Sequence, residues 1–78
     1  MIDFDSIWRT QDEIRTVVNA VLGECIYSLA YSHERMAIEM ELSVHFDEDV
    51  ISELSCQFPV PADYDGEGTE GSKFVFFL

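Results

Sequence analysis

The sequence predicts an α+β fold in which one N-terminal amphipathic helix packs on an antiparallel sheet of three or four strands. Apolar residues recur with helical spacing up to residue 22, and from residue 24 the apolar period changes to two. The chain has 78 residues, of which 47% are hydrophobic, so a single domain over residues 1–78 with one small core is expected. One helix covers only one face of such a sheet, which gives a two-layer sandwich.

The helix is predicted over residues 10–22. Thr10 and Glu13 have the spacing of a capping box, in which each side chain satisfies a free backbone N–H group at the helix start. A start near residue 6 is the alternative, because Ile7 lies on the same helical face as the apolar stripe. The stripe itself consists of Ile14, Val17, Val18, Val21 and Leu22.

The first two strands are predicted over residues 24–31 and 36–46, where apolar and polar side chains alternate. Gly23 separates them from the helix, since a helix often ends at a residue with a left-handed backbone. The sheet face without a helix should be polar, and Glu39 and Glu41 both point to that face of the second strand.

A third strand, an acidic loop and a last strand are predicted over residues 54–60, 62–72 and 73–78. Pro59 and Pro61 cannot donate backbone hydrogen bonds, which assigns the third strand to an edge of the sheet. The loop is assigned from its glycines and acids, and the last strand from its continuous apolar run.

The last strand is apolar on both faces, which leaves Val75 and Phe77 on the face that the helix does not cover. Exposed apolar patches of this kind usually mark an interface, so these two residues are the predicted self-association site of a homodimer. The alternative cover is the N-terminal segment with Ile2, Phe4 and Trp8.

The charge balance narrows the class of partner. Sixteen acids and four cations give a net charge of −12, whereas a magnitude of about 2 to 8 suffices for solubility. Direct binding to nucleic acid or to an anionic membrane needs the opposite sign, so a basic protein surface is the expected partner. The alternative is a strongly charged protein that is only well solvated. The predicted partner-binding acids are Glu39, Glu41, Asp47, Glu48, Asp49, Asp63, Asp65 and Glu67.

Glu39 and Glu41 are expected at the centre of this surface. On one side of a strand they would lie about 6.6–6.8 Å apart, which is about two phosphate steps along one DNA strand. Asp47 is expected either to cap a short helical turn or to begin an irregular connection. Tyr64 and Phe77 are candidate apolar anchors for a partner.

No catalytic, cofactor-binding or metal-binding residue is predicted, and the chain is not expected to be an enzyme. The acids that follow Asp63 alternate as in a calcium loop, but Gly66 comes at the fourth position instead of the sixth. The histidines and cysteines lack the close pairs of a zinc site. Cys25 and Cys56 are expected to be reduced and buried in a cytoplasmic protein, with a disulfide as the alternative.

In size, acidity and lack of catalytic residues, the chain resembles the small acidic inhibitors that bacteriophages use against host defence, namely DNA mimics and anti-CRISPR proteins. The resemblance covers no motif. It implies an inhibitor that acts in the host cytoplasm on a CRISPR effector, a nuclease or another nucleic-acid-binding protein. The alternatives are a non-catalytic accessory or assembly subunit that binds through the apolar C-terminal strand, and an immunity protein against a nuclease.

Overall fold

The computed structural model describes residues 3–77 and confirms an α+β fold with an antiparallel sheet. Ile2 and Leu78, which the sequence places in the N-terminal segment and the last strand, lie outside the described residues. The elements in chain order are α1 (Phe4–Leu22), β1 (Ile26–Ser32), β2 (Ala37–Leu42), α2 (Glu48–Ser55), β3 (Asp63–Glu67) and β4 (Ser72–Phe77). The strands are ordered β1-β2-β4-β3 in one sheet, and neighbouring strands are antiparallel.

Both helices contribute to the core on one face of the sheet. Their buried side chains pack with the inward-facing residues of β2 and β4, and Phe58 and Val60 pack against the same cluster from the segment after α2. The cluster contains Ile7, Ile14, Val18, Cys25, Ile38, Met40, Leu42, Ile51, Leu54, Phe74 and Phe76. Ala37 and Val75 are buried outside this cluster, because alternation along a strand points them to the opposite face.

The helix α1 begins earlier than the predicted range of 10–22. Asp3 caps it by accepting a hydrogen bond from the Ser6 N–H at 3.2 Å. Thr10 lies inside the helix, where its hydroxyl donates to the Ser6 carbonyl, so the predicted capping box is wrong. Because α1 begins at Phe4, Ile7 lies inside the helix and belongs to the buried cluster. The predicted stop at Gly23 is confirmed by its φ of 81°.

The predicted strand over residues 54–60 is wrong, because the first part of this segment completes the helix α2. Asp47 caps α2 by accepting a hydrogen bond from the Val50 N–H at 3.2 Å, as the helical alternative for Asp47 expected. Ile51 and Leu54 are buried three residues apart, which is a helical spacing. Of the alternating residues, Leu54 belongs to α2, Cys56 is exposed, and only Phe58 and Val60 pack against the core from the irregular segment.

The predicted acidic loop over residues 62–72 contains the strand β3, which pairs with β4 through Asp63–Val75 and Tyr64–Phe74. The strand β4 therefore lies between β2 and β3, and both of its backbone edges are used. The edges of the sheet are β1 and β3, so the C-terminal strand, through which the accessory-subunit alternative expected binding, has neighbours on both sides. Both strands of the first hairpin are confirmed with shifted ends, β2 being shorter than the predicted range.

Candidate acidic interaction surface

The two edge strands of the sheet differ sharply in charge. β3 carries three acids in the five residues DYDGE, whereas β1 carries no charge in the seven residues IYSLAYS. Unpaired backbone groups at a sheet edge attract further strands, and charged side chains suppress such pairing. The acids of β3 therefore oppose the addition of a further strand at its edge, whereas β1 has no charged side chain that would do so.

The open face, which is the sheet face opposite the helices, is crossed by the side chain of Arg35. Its Nη1 atom lies 3.1 Å from Asp65 Oδ2 and 3.7 Å from Glu39 Oε1, and its guanidinium carbon lies 5.9 Å from the centre of the Phe77 ring. Glu39 and Asp65 belong to the strands on either side of β4. The guanidinium therefore links β2 to β3 across β4, whose Val75 on the same face is only 3% exposed.

Only one of the two predicted self-association residues is exposed to another chain. Val75 is buried within its own chain, whereas Phe77 is 50% exposed. Phe4 and Trp8 belong to α1, which packs on the other face, so they do not cover Val75. Self-association through Phe77 stays a prediction.

Alternation along β3 places Asp65 on the open face, two residues after Asp63, and a bulge then turns Glu67 to the helix side. The pairing of β3 with β4 shifts between Tyr64 and Glu67, and Gly66 has a φ of +87°, which glycine adopts without strain. Asp65 Oδ2 also lies 4.0 Å from the ammonium group of Lys73. The hydrogen bond from Arg35 lowers the pKa of Asp65, and the positive charges of Arg35 and Lys73 act in the same direction.

Glu41 is held by the connection between β3 and β4. Its carboxylate accepts a hydrogen bond from the Glu70 N–H at 2.8 Å, and a Cβ atom added at Gly68 would lie 2.7 Å from its Oε2 atom. Glu39 and Glu41, the expected centre of the recognition surface, are thus half-buried and bound to their own chain. Their contact with a partner stays a prediction.

We expect the Arg35→Gln substitution to lower the free energy of unfolding several times more than the Arg15→Gln substitution. Both changes remove one positive charge, but Arg15 makes only an exposed helix-surface pair with Asp12 at 3.8 Å. Such a pair contributes about 0.5 kcal/mol or less. Loss of Arg35 would leave two carboxylates facing each other and uncover Val75. Urea denaturation of the two variants measures the difference, and equal losses would show that Arg35 does not hold the open face together.

On the helix side of β3, Glu67 joins three polar side chains. Its carboxylate accepts hydrogen bonds from the Tyr64 hydroxyl and, at 3.0 Å, from the Ser72 hydroxyl, and His45 Nδ1 lies 2.7 Å away. Ser72 also accepts a hydrogen bond from the Phe46 N–H at 3.0 Å. The Tyr64 hydroxyl is the largest cause of a lowered pKa at Glu67, and this bond raises the pKa of Tyr64.

This network predicts a pH dependence that the Glu67→Gln substitution removes. The pKa of Glu67 in the folded protein lies below its ordinary value of 4.5. The ionised carboxylate therefore stabilises the fold fully above its unfolded-state pKa, and this contribution is lost as the pH falls through the folded-state pKa. We expect the difference in free energy of unfolding between wild type and Glu67→Gln to be largest at neutral pH and to shrink in acid. A difference that is constant over a pH series of urea denaturations would contradict this role.

The eight predicted partner-binding acids lie on two sides of the sheet and meet at β3. One group, on the open face, contains Glu39, Glu41, Asp63 and Asp65, and the other, on the helix side, contains Asp47, Glu48, Asp49 and Glu67. In the second group, Asp47 serves as the helix cap, and Glu48 and Asp49 suit the positive end of the α2 dipole. We call the acids of β3 and of the first turn of α2 the acidic edge, which consists of Glu48, Asp49, Asp63, Asp65 and Glu67.

Most of the acids are exposed, whereas most of the cations lie beside a carboxylate of the same chain. Thirteen of the sixteen acids are exposed, and the three half-buried acids are Glu39, Glu41 and Asp65. Three of the four cations, Arg15, Arg35 and Lys73, lie within 4.0 Å of a carboxylate of the same chain.

The two cysteines occupy different environments. Both are free thiols; Cys25 is buried, as expected, whereas Cys56 is exposed at the C-terminal end of α2. The expectation of a buried Cys56 is wrong because it depended on the strand over residues 54–60. Burial raises the pKa of the Cys25 thiol.

Two groups important to the surface were not singled out from the sequence. Arg35 lies between the two strands predicted over residues 24–31 and 36–46, and the surface beside Tyr64 requires the helix α2, where a strand over residues 54–60 is predicted. The only sequence signal for the bulge at Asp65 was Gly66 within an acidic segment, which composition assigns to a loop.

Within residues 3–77, no three histidine, cysteine or acidic side chains are grouped as a metal site would require. The helices of this described range are also too short or too polar to cross a membrane.

Comparison with protein-family models, with curated proteins and with solved structures finds no match.

Proposed function

We propose that the protein is an inhibitor that binds a partner protein at the basic surface with which that partner contacts nucleic acid. The observation that carries the proposal is the separation of charge: thirteen of the sixteen acids are exposed, whereas three of the four cations are paired within the chain. A partner approaching the molecule meets a field of one sign over most of its surface. Such a field accelerates association with a basic surface and repels nucleic acid.

The acidic edge is the part of this surface that is best organised for recognition. Asp65 and Glu67 are fixed by hydrogen bonds to Arg35 and Tyr64, so their carboxylates lose little freedom on binding. Asp63, Glu48 and Asp49 are exposed beside them and supply charge. A rigid set of carboxylates on a strand and an adjoining helix can occupy phosphate-binding positions of a basic groove. We propose a nuclease, a repair enzyme or a CRISPR effector as the class of partner.

Affinity capture from a bacterial lysate tests the proposal. The immobilised protein is washed along a salt gradient beside a charge-matched scrambled chain, and the retained proteins are identified by mass spectrometry. We expect a basic nucleic-acid-handling protein that is retained only by the native fold and released by moderate salt, because such contacts are screened. Retention of the same proteins by the scrambled chain would overturn specific recognition.

A second candidate function is that of an assembly subunit which adds its sheet to another sheet. The observation in its favour is the β1 edge, which is seven residues long and uncharged in a chain with 26% charged residues. Tyr27 is 59% exposed on this strand. Edge strands that carry no charge or proline are templates for strand addition. In this candidate function, the strand to which another sheet would be added is β1 and not the C-terminal strand.

The Ala30→Lys substitution separates the two candidates. Ala30 is exposed in β1 and pairs with Glu39, so a lysine fits the fold and places a charge on the edge. If assembly uses β1, we expect Ala30→Lys to convert an oligomer into a monomer in sedimentation experiments. The matched control is Ala20→Lys, which adds the same charge on the exposed side of α1. A wild type that is monomeric at high concentration and captures no strand-adding partner would contradict assembly through β1.

A further inference from the structure

We propose that the groove between α2 and β3 binds an arginine side chain of the partner, an inference that rests on the proposed function and identifies its central contact. The groove has a volume of about 480 Å³ and is lined by Glu48, Ile51, Ser52, Ser55, Cys56 and Tyr64. It is the place where the acidic edge adjoins apolar surface.

The lining of the groove matches the two parts of an arginine side chain. Ile51 and the Cys56 thiol provide an apolar floor for the aliphatic stem, and Glu48 provides a carboxylate for the charged head. The Tyr64 ring is 47% exposed, so a guanidinium can stack on it. A planar guanidinium uses a ring and a carboxylate together better than an ammonium group does.

The Tyr64 ring is already held in position before any ligand binds. One end is fixed by the hydrogen bond from its hydroxyl to Glu67, and the ring packs edge-on against Phe74 with 6.0 Å between centroids. Glu67 is in turn held by Ser72 and His45. An aromatic side chain with so few free rotations gives up little entropy on binding, which is typical of a binding hot spot.

The protein already uses the same combination on its open face. There, the guanidinium of Arg35 lies among one aromatic ring, that of Phe77, and the carboxylates of Glu39 and Asp65. The groove offers the ring of Tyr64 with the carboxylate of Glu48. No lysine, arginine or histidine of residues 3–77 lies within 4.0 Å of the Glu48 carboxylate. The groove therefore resembles the surroundings of Arg35 but holds no arginine of the described residues.

The dipole of α2 opposes a cation near the first turn of the helix, but the acids at this end outweigh it. A helix N-terminus carries roughly half a positive charge. Asp47, Glu48 and Asp49 place three carboxylates at this end, so the local charge remains negative. The groove also extends to Ser55 and Cys56 at the other end of α2, where the dipole favours a cation.

Titration of the isotope-labelled protein with an acetylated tetra-arginine peptide, followed by NMR, tests the groove without any partner. We expect saturable shifts at the amides of Ile51, Ser52, Ser55 and Tyr64. Tetra-citrulline, which keeps the shape of arginine without its charge, should produce none of them. The Tyr64→Leu substitution should weaken binding about fivefold, as expected for the loss of one cation–π contact at a partly exposed site.

A comparison of two charge-neutralising variants shows whether binding is local. Glu48→Gln removes a carboxylate from the groove, and Glu34→Gln removes one from the turn between β1 and β2, so the net charge changes equally. We expect Glu48→Gln to weaken tetra-arginine binding at least about threefold more than Glu34→Gln, which corresponds to one partly exposed charged contact. Equal weakening, or shifts that spread over all acids without saturation, would overturn the site.

The outcome for the groove is distinguishable from the outcome for the proposed function. Saturable arginine binding by a protein that captures no nucleic-acid-handling partner would confirm the groove and remove the inhibitor proposal. A captured partner whose binding is unchanged by Glu48→Gln and Tyr64→Leu would leave the inhibitor proposal in place and remove the groove.

Discussion

The Gly71→Ala substitution is expected to unfold the protein or to lower its free energy of unfolding by about 3 kcal/mol, the upper end of the usual range for overpacking. A Cβ atom at this position would lie 2.2 Å from the carbonyl oxygen of Leu42 and 2.5 Å from that of Val44. These are backbone atoms that cannot rotate away. Gly71 precedes β4, and the neighbouring Ser72 N–H donates to the Val44 carbonyl at 3.1 Å. The added methyl group would therefore separate the start of β4 from the end of β2.

The Gly68→Ala substitution is the matched control for this effect. Its Cβ atom would also make close contacts, at 2.7 Å and 2.8 Å, but with the ends of the Glu41 and Lys73 side chains. Flexible side chains can move aside, so we expect a loss of about 1 kcal/mol or less. Urea denaturation followed by circular dichroism compares the two variants. Equal midpoints for both would show that the close approach at Gly71 does not restrict the fold.

The second large effect is expected from charge reversal at the acidic edge. Asp49→Lys combined with Asp63→Lys should lower the affinity for a basic partner at least about 100-fold at low salt, because electrostatic steering alone changes association rates by about 10–10³-fold. Both residues are exposed, and neither caps a helix nor pairs with Arg35. A lysine at position 49 is unfavourable at the positive end of the α2 dipole by about 1 kcal/mol or less, so the fold should stay intact, which circular dichroism verifies.

A control reversal tests whether position matters beyond total charge. Glu24→Lys with Glu34→Lys gives the same net charge, but these residues flank β1 at the opposite edge of the sheet. We expect this control to weaken binding much less than the reversal at the acidic edge. Equal weakening by the two double variants would indicate attraction by net charge without a defined surface.

The fold class could be predicted because the sequence period changes from helical to alternating at Gly23. The boundaries of the elements are harder to predict where a helical spacing and a strand-like alternation of apolar residues coincide. Leu54, Cys56, Phe58 and Val60 alternate like a strand, yet Leu54 also lies three residues after Ile51 in α2. The helix prevails because Asp47 caps it and because it covers the core from the same side as α1.

The strand β3 could not be predicted from composition, since glycines and acids are typical of loops. It pairs with β4 through Asp63 and Tyr64 before a bulge and through Glu67 after it, and Asp65 accepts a hydrogen bond from Arg35 on the open face. The sequence placed acids on the open face correctly, but it could not show that Glu39 and Glu41 are bound by their own chain. Contacts between residues about thirty positions apart, such as Arg35 with Asp65 or Glu70 with Glu41, depend on tertiary structure.

The most direct test of the inhibitor proposal is a competition between this protein and nucleic acid for the captured partner. Fluorescence anisotropy of a labelled oligonucleotide bound to the partner is measured at increasing concentrations of wild type and of the Asp49→Lys, Asp63→Lys variant. We predict that the wild type displaces the oligonucleotide completely and that the variant displaces little. The apparent Kd of the partner for the oligonucleotide should rise linearly with the concentration of the wild type. A ternary complex, in which the oligonucleotide stays bound while this protein also binds, would contradict occupation of the nucleic-acid surface.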